Sequence, residues 1–287
     1  MRAFPEGAAQ KAAVIASVTA AIKAGGLHGG TEVTSATLLA CVVEEDDPRA
    51  FETRTGIPGS LAFLGNLGIE AHDDPAEASA FAQAWIAAPE LGADLTKVPS
   101  EMVLWVIDHA EKIWRSAFDG ATPSSLGMVR EMHARQFAGE NPGRSEWSSV
   151  RNEALTKTDA VGDHRQRDLN KLAETLAWSP LSSRTILAEG VRILAGIAGA
   201  AAAARAPMSD EERAEIYRAM ETLYAKTEAE RDADPENYYF PDVFEKEMPE
   251  MSARFKVDLL AQNAAFADAI RSAGKHALAL MRAVPSS

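Results

Sequence analysis

One cysteine, Cys41, stands in 287 residues, so the chain holds no intrachain disulfide and no Cys-rich zinc site. Its setting, Ala36 to Val43, is apolar and offers no basic neighbour to lower the thiol pKa, which suits a small buried hydrophobe and a reducing compartment. Positive charge is also scarce. Twenty-nine Lys and Arg against 42 Asp and Glu leave a net charge of −13, which repels phosphate backbones and anionic membrane surfaces and argues against nucleic acid or membrane as a direct partner. Long hydrophobic runs are missing. The longest, Ile193 to Ala204, is twelve residues of mostly Ala and Gly, short for a bilayer core of about 30 Å. The opening Met1-Arg2-Ala3-Phe4-Pro5-Glu6, followed by Lys11 and Lys23, does not read as a signal peptide, and the expected location is cytoplasmic.

The common catalytic signatures are absent or broken. Six histidines lie at 28, 72, 109, 133, 164 and 276, with no His-x-x-x-His pair and no Glu three positions before any of them. That removes the metalloprotease helix and the di-iron Glu-x-x-His bundle, each of which needs two ligands on one helical face. Gly25-Gly26-Leu27-His28-Gly29-Gly30 follows a helical pattern rather than a strand, Gly274-Lys275 lacks the upstream glycine of a P-loop, and Gly59-Ser60 lacks the Gly-x-Ser-x-Gly elbow. Asp232-Ala233-Asp234-Pro235-Glu236-Asn237 starts like a calcium loop, but its sixth position is Asn237 and its twelfth Val243. No metal site and no cofactor is expected.

What remains is helical. Apolar residues recur at the 3.6-residue period, and no alternating segment is bounded by hairpin turns, so the fold class is all-α: a multi-helix orthogonal array or two packed helical bundles, with about ten to thirteen helices of ordinary length. The pattern predicts helices over 7–24, 35–44, 100–118, 123–138, 145–160, 163–177, 180–205, 209–231 and from Pro249 to about Val284. Asp47-Pro48 and Asp74-Pro75 read as N-caps followed by a proline whose missing N–H is not needed, with Glu77 completing a capping box. Ser100 reads as the cap of the long amphipathic helix, and Ser209 with Glu212 as a further capping box. The Ala138 to Ser145 stretch is the best linker and divides the chain into 1–140 and 145–287, if it is not one continuous domain. Gly190, Gly196 and Gly199 mark a helix approached closely by its neighbours or by a second copy, since a homodimer through this Ala-rich surface is as compatible as intrachain packing.

Asp73-Asp74-Pro75-Ala76-Glu77 resembles, over five residues, the aspartate-rich Mg²⁺ motif of helical terpene synthases. That motif implies carboxylates inside a helix, a second Asn/Ser/Glu motif and an aromatic cavity. Pro75 instead starts a helix here, the second motif has no match, and aromatic content is 7%. Capping accounts for the acidic pair. Asp108 and His109, beside Trp105 and Trp114, are the candidate acid-base residues, with a satisfied core histidine as the competing reading. His164 and Asp168, at i, i+4, read as a surface hydrogen bond or ion pair.

The charge is uneven. Between Asp210 and Asp258 stand 15 acidic and 7 basic residues, and within them Tyr238, Tyr239, Phe240 and Phe244 form the densest aromatic cluster. Aromatics beside Glu245, Glu247 and Glu250 have the composition of a recognition surface, with anchoring of an inter-helix loop as the competing reading. The expected function is a cytoplasmic protein-interaction module, an adaptor or an immunity or antitoxin-like sequestering factor, binding a basic protein partner. The alternative is a small-molecule enzyme or binding protein with an inter-helix pocket.

Overall fold

The computed structural model describes residues 2–25, 37–43, 47–118, 122–160, 164–206 and 208–286. The chain is 78% helical, with fourteen α-helices and no strand among the described residues, as the helical period predicts. The helices are α1 (Ala8–Lys23), α2 (Leu38–Val43), α3 (Pro48–Thr55), α4 (Gly59–Glu70), α5 (Pro75–Ala87), α6 (Val98–Ala117), α7 (Ser124–Phe137), α8 (Arg144–Ala160), α9 (His164–Leu176), α10 (Ile186–Arg205), α11 (Asp210–Lys226), α12 (Glu228–Ala233), α13 (Phe240–Glu247) and α14 (Pro249–Ala283).

The starts of α3 and α5 follow the expected chemistry: Asp47 accepts the amide of Arg49 and Asp74 that of Ala76, each at 2.8 Å, with proline in the first turn. Glu77 does not close a box with Asp74; it turns instead to His72 Nδ1 at 3.3 Å. Ser100 is not a cap either. Proline at 99 fits a first helical turn, so α6 begins at Val98, and the Ser100 hydroxyl, buried inside the helix, donates to Gln136 Oε1 of α7. The helix expected from 180 starts at Ile186, because Ser182 and Ser183 first turn back onto the Ser179 carbonyl.

Helix α10 is the hub. It is long and apolar enough to cross a membrane by composition, yet most of it is buried against α14, α6, α9 and α4. Two of its three glycines meet neighbours: a Cβ on Gly190 would lie 2.6 Å from Leu176 Cδ2, and one on Gly199 would lie 3.3 Å from the Gln262 carbonyl of α14. Gly196 faces open space, so it is not one of the approach points. One continuous core runs from Ala3 to Met281 and takes residues from both sides of the Ala138–Ser145 stretch. A second, smaller core is built from Met208, Ile216, Leu223 and Phe244. At 1.5 Å per residue α14 is about 52 Å long, and it joins the two: Met251 and Phe255 pack on the small core, Ala269 to Met281 on the large one.

The first residues are stitched down by backbone alone. The amides of Ala3 and Phe4 donate to the carbonyls of Ala93 (2.9 Å) and Thr55 (2.7 Å), and Arg2 bridges to Asp94. Gly56 permits this, with φ 67° and no room for a side chain, since a Cβ would sit 1.9 Å from the Arg2 carbonyl oxygen. Gly25 has a similar φ of 72° but open space around it. Gly25→Ala should therefore cost only the left-handed conformation, about 1 to 2 kcal/mol, while Gly56→Ala should cost clearly more because backbone must move. Thermal melts of the two variants decide it; equal losses would mean that the close approach carries no weight.

Candidate functional site

The acidic C-terminal lobe is built from α11, α12, α13 and the first turns of α14. Its first helix is fixed by the expected capping box: the Glu212 amide donates to Ser209 Oγ (3.2 Å) and the Ser209 amide to Glu212 Oε2 (2.8 Å). That amide, with Arg254 beside it, holds the Glu212 carboxyl down at about 2. The helix expected to run to Arg231 breaks at Thr227, whose hydroxyl is shared between the Leu223 carbonyl and the Tyr238 hydroxyl, 2.6 Å away.

The structure brings most of the aromatic cluster inward. Phe244 is buried, stacked on Phe240 (6.2 Å between centroids) and edge-on to Phe255 (6.3 Å), while Phe240 meets Tyr224 (5.3 Å). These rings hold the lobe together. Tyr239 alone of the four expected contact aromatics is largely exposed, at 63%. Glu245 pairs with Lys256 at 2.6 Å; Glu247 and Glu250 are exposed and carry no ion pair among the described residues. In the calcium-like loop, the Asn237 amide donates to both oxygens of Asp234, so those groups satisfy one another.

A buried clamp ties this lobe to the main body. Asp258 of α14, 2% exposed, receives Arg213 Nε on one oxygen and Nη2 on the other, each at 3.0 Å, and Gln262 Nε2 at 2.7 Å. Arg213 also donates to the Ala203 carbonyl at the end of α10. The guanidinium hydrogen bonds outweigh desolvation and hold the Asp258 carboxyl below its ordinary range.

Beside the clamp, where the last turn of α10 diverges from α14, a groove of about 550 Å³ opens. Ala202, Ala206, Met208, Val257 and Ala261 give it an apolar floor, and Arg205 and Arg254 stand at its rim. Arg254 is matched by Glu212 at 2.5 Å, whereas Arg205, among the described residues, donates to the Ser116 hydroxyl at 2.6 Å and carries no ion pair. Between the two cores α14 is bare: Val257 is 62% exposed and Leu260 68%, with Leu259 and Phe266 also exposed. The sequence held a signal for this, an apolar Val257-x-Leu259-Leu260-Ala261 run within the helix predicted from Pro249.

Asp108 and His109 are adjacent in sequence but are used separately. Asp108 pairs with Arg130, which also meets Glu111 at 3.2 Å. His109 stacks on Trp105 (4.4 Å), and His276 of α14 stacks on the same indole (5.0 Å). Burial depresses the pKa of both imidazoles, assisted by Lys112 at His109 and by His109 itself at His276. No hydroxyl or thiol is hydrogen-bonded to either ring among the described residues, so the geometry there is packing rather than a nucleophile with its base.

His133, which no sequence pattern singles out, is the most perturbed histidine among the described residues. It is fully buried, bonded through Nε2 to the Leu176 carbonyl at 2.8 Å, and burial pushes its pKa down to about 4. His28 and the His164 side chain lie outside the described residues, and with them the expected His164–Asp168 pair. Among the described residues no three His, Cys, Asp or Glu side chains converge as a metal-ligand set. Set against family models, curated proteins and solved structures, the chain matches none, so its function has to be argued from its own residues.

Proposed function

We propose that the protein is a protein-interaction module whose docking surface is the bare middle of α14 together with the groove beside α10, and whose partner presents a basic amphipathic helix. The observation that carries this is the exposed apolar ridge of Val257 and Leu260. Solvent-facing helix middles are normally polar, and a contiguous apolar strip next to a concave floor is the shape that receives a helix laid in by its apolar face. Charge selects the partner's sign. The lobe that flanks the groove carries a surplus of eight acidic residues, and Glu247 and Glu250 carry no ion pair among the described residues. Their field steers a basic helix towards the groove. Unlike the expectation built on the aromatic cluster, this surface takes its apolar contact from α14, because Phe240 and Phe244 are committed to the lobe's own core.

The test uses synthetic helices as probes. A Leu/Lys amphipathic peptide of about 18 residues, five turns at 3.6 residues each, should bind saturably and more weakly as salt rises; a Leu/Glu peptide of the same pattern should not bind. Val257→Ser with Leu260→Ser should weaken the Leu/Lys peptide at least about tenfold, the loss of two partly buried apolar side chains. It should leave the melting temperature unchanged, since both positions are exposed. Glu247→Lys with Glu250→Lys should slow association rather than speed dissociation. Equal binding of both peptides, or indifference to the serine pair, would remove the proposal. So would a dimer in sedimentation that Leu260→Ser dissolves, because the occupant would then be a second copy of the chain.

A further inference from the structure

A second pocket, sharing no lining residue with the groove, gathers three arginines from sequence-distant segments. Arg2 and Arg49, both exposed, and Arg184, with Pro5, Glu52, Thr53 and Gly56, line an open cleft of about 410 Å³. Each is placed by a different device. Arg184 is fixed by Glu52, whose Oε2 receives Nη2 at 2.8 Å and Nε at 3.2 Å, while Oε1 takes the Gly59 amide at 2.8 Å. Arg49 stands in the first turn of α3, its amide held by the Asp47 cap. Arg2 is held by its backbone, bridged to Asp94 and pressed against Gly56.

Among the described residues on the lining, Glu52 is the one carboxylate, and it is committed to Arg184. Arg2 and Arg49 have no side-chain hydrogen bond and no ion pair among the described residues. The described lining thus carries a surplus of two positive charges on a chain whose net charge is −13. Three arginines on one lining repel one another, and among the described residues no hydrogen bond or ion pair uses the side chains of two of them. A bound dianion would relieve that repulsion, and planar, five-donor guanidinium groups match tetrahedral oxyanions particularly well.

We propose that this pocket binds the phosphoryl group of a small phosphate monoester. Such a group carries about −1.5 to −2 charges at neutral pH, which equals the surplus. The volume falls in the range of small-molecule sites, roughly 300 to 1,000 Å³, and leaves room for a body behind the phosphate. Arg2 and Arg49 close on the phosphoryl oxygens, and Arg184, already pre-organised by Glu52, supplies the fixed wall.

Calorimetric titration of the full chain tests this with three probes at one ionic strength: glycerol 2-phosphate, inorganic phosphate and succinate. One glycerol phosphate should bind per chain, with succinate at least about tenfold weaker. Arg49→Ala and Arg2→Ala should each weaken the phosphate probes by about ten- to a hundredfold, the loss of one charge-assisted contact. Arg115→Ala, an exposed arginine elsewhere, should change nothing. Tighter binding of the ester assigns the site to a phosphorylated metabolite, and equal affinity for inorganic phosphate would assign it to free phosphate as the same dianion. Both alanine variants should melt like the parent, since neither guanidinium has a hydrogen bond or ion pair among the described residues. No saturable heat with either phosphate, succinate bound as tightly, or phosphate affinity unmoved in both variants would overturn the assignment.

Discussion

Arg213→Ala should be the most damaging single substitution in the C-terminal lobe, costing about 3 to 5 kcal/mol, the usual loss when one member of a buried ion pair is removed. Asp258, 2% exposed in the intact protein, would keep Gln262 alone as a hydrogen-bond donor among the described residues, and its carboxylate would have to be protonated or dragged into water. The carbonyls of Ala203 and Met208, which Arg213 also serves, would lose a donor at the same place. Because the clamp joins α11 to α14 and α10, the loss should appear as undocking of the lobe rather than as global unfolding. Hydrogen exchange should speed up across residues 210–247 while α6 and the α10 interior stay protected. Arg213→Met with Asp258→Leu should recover most of the stability, because replacing both ions by apolar groups leaves no buried charge. If Arg213→Ala melts within about 0.5 kcal/mol of the parent, as an ordinary surface change would, the clamp is not holding the lobe.

The helical class, the α3 and α5 caps and the Ser209–Glu212 box were legible because each is written within one turn of chain: a period, a carboxylate before a proline, a serine three residues before a glutamate. Where local signals misled, a tertiary partner had claimed the residue. Ser100 has the look of a cap, but its hydroxyl serves Gln136, and Pro99 sits comfortably in the first turn of α6. Tyr238 to Phe244 follow an acidic, turn-rich loop and so look exposed, yet Met208, Ile216, Leu223 and Phe255 close over Phe244 from elsewhere in the chain. Asp108 and His109 are neighbours in sequence that serve different contacts, one Arg130, the other Trp105. Neither the Arg213–Asp258 clamp nor the Arg2, Arg49 and Arg184 pocket could be read beforehand, because no periodicity links residues brought together only by packing.

Acid should weaken the fold well before its carboxylates titrate, and His133 should account for most of that loss. Its ring lies between α7, α8 and α9, edge-on to Trp147 at 4.9 Å, with Nε2–H donating to Leu176. A second proton would have to go on Nδ1, which is buried and has no hydrogen-bond partner among the described residues. The native ring therefore stays neutral down to about 4, whereas in the unfolded chain it takes up a proton near 6.5. Stability from this group is complete above about pH 6.5 and falls by about 1.4 kcal/mol per pH unit below it. The fall ends near pH 4, after roughly 3 kcal/mol. His109 and His276 are depressed too and act with the same sign, but they are only partly buried and contribute less. Asp94 and Glu212, both held at about 2, belong to a separate window, since their stabilisation is lost only as pH falls below about 4. Urea midpoints measured from pH 8 to pH 4.5 should thus slope downward below about 6.5. In His133→Gln, whose amide can still donate to Leu176 but cannot titrate, most of that slope should vanish. An unchanged slope would place the acid sensitivity at the Trp105 stack instead, where His109→Gln and His276→Gln would be the variants that flatten it.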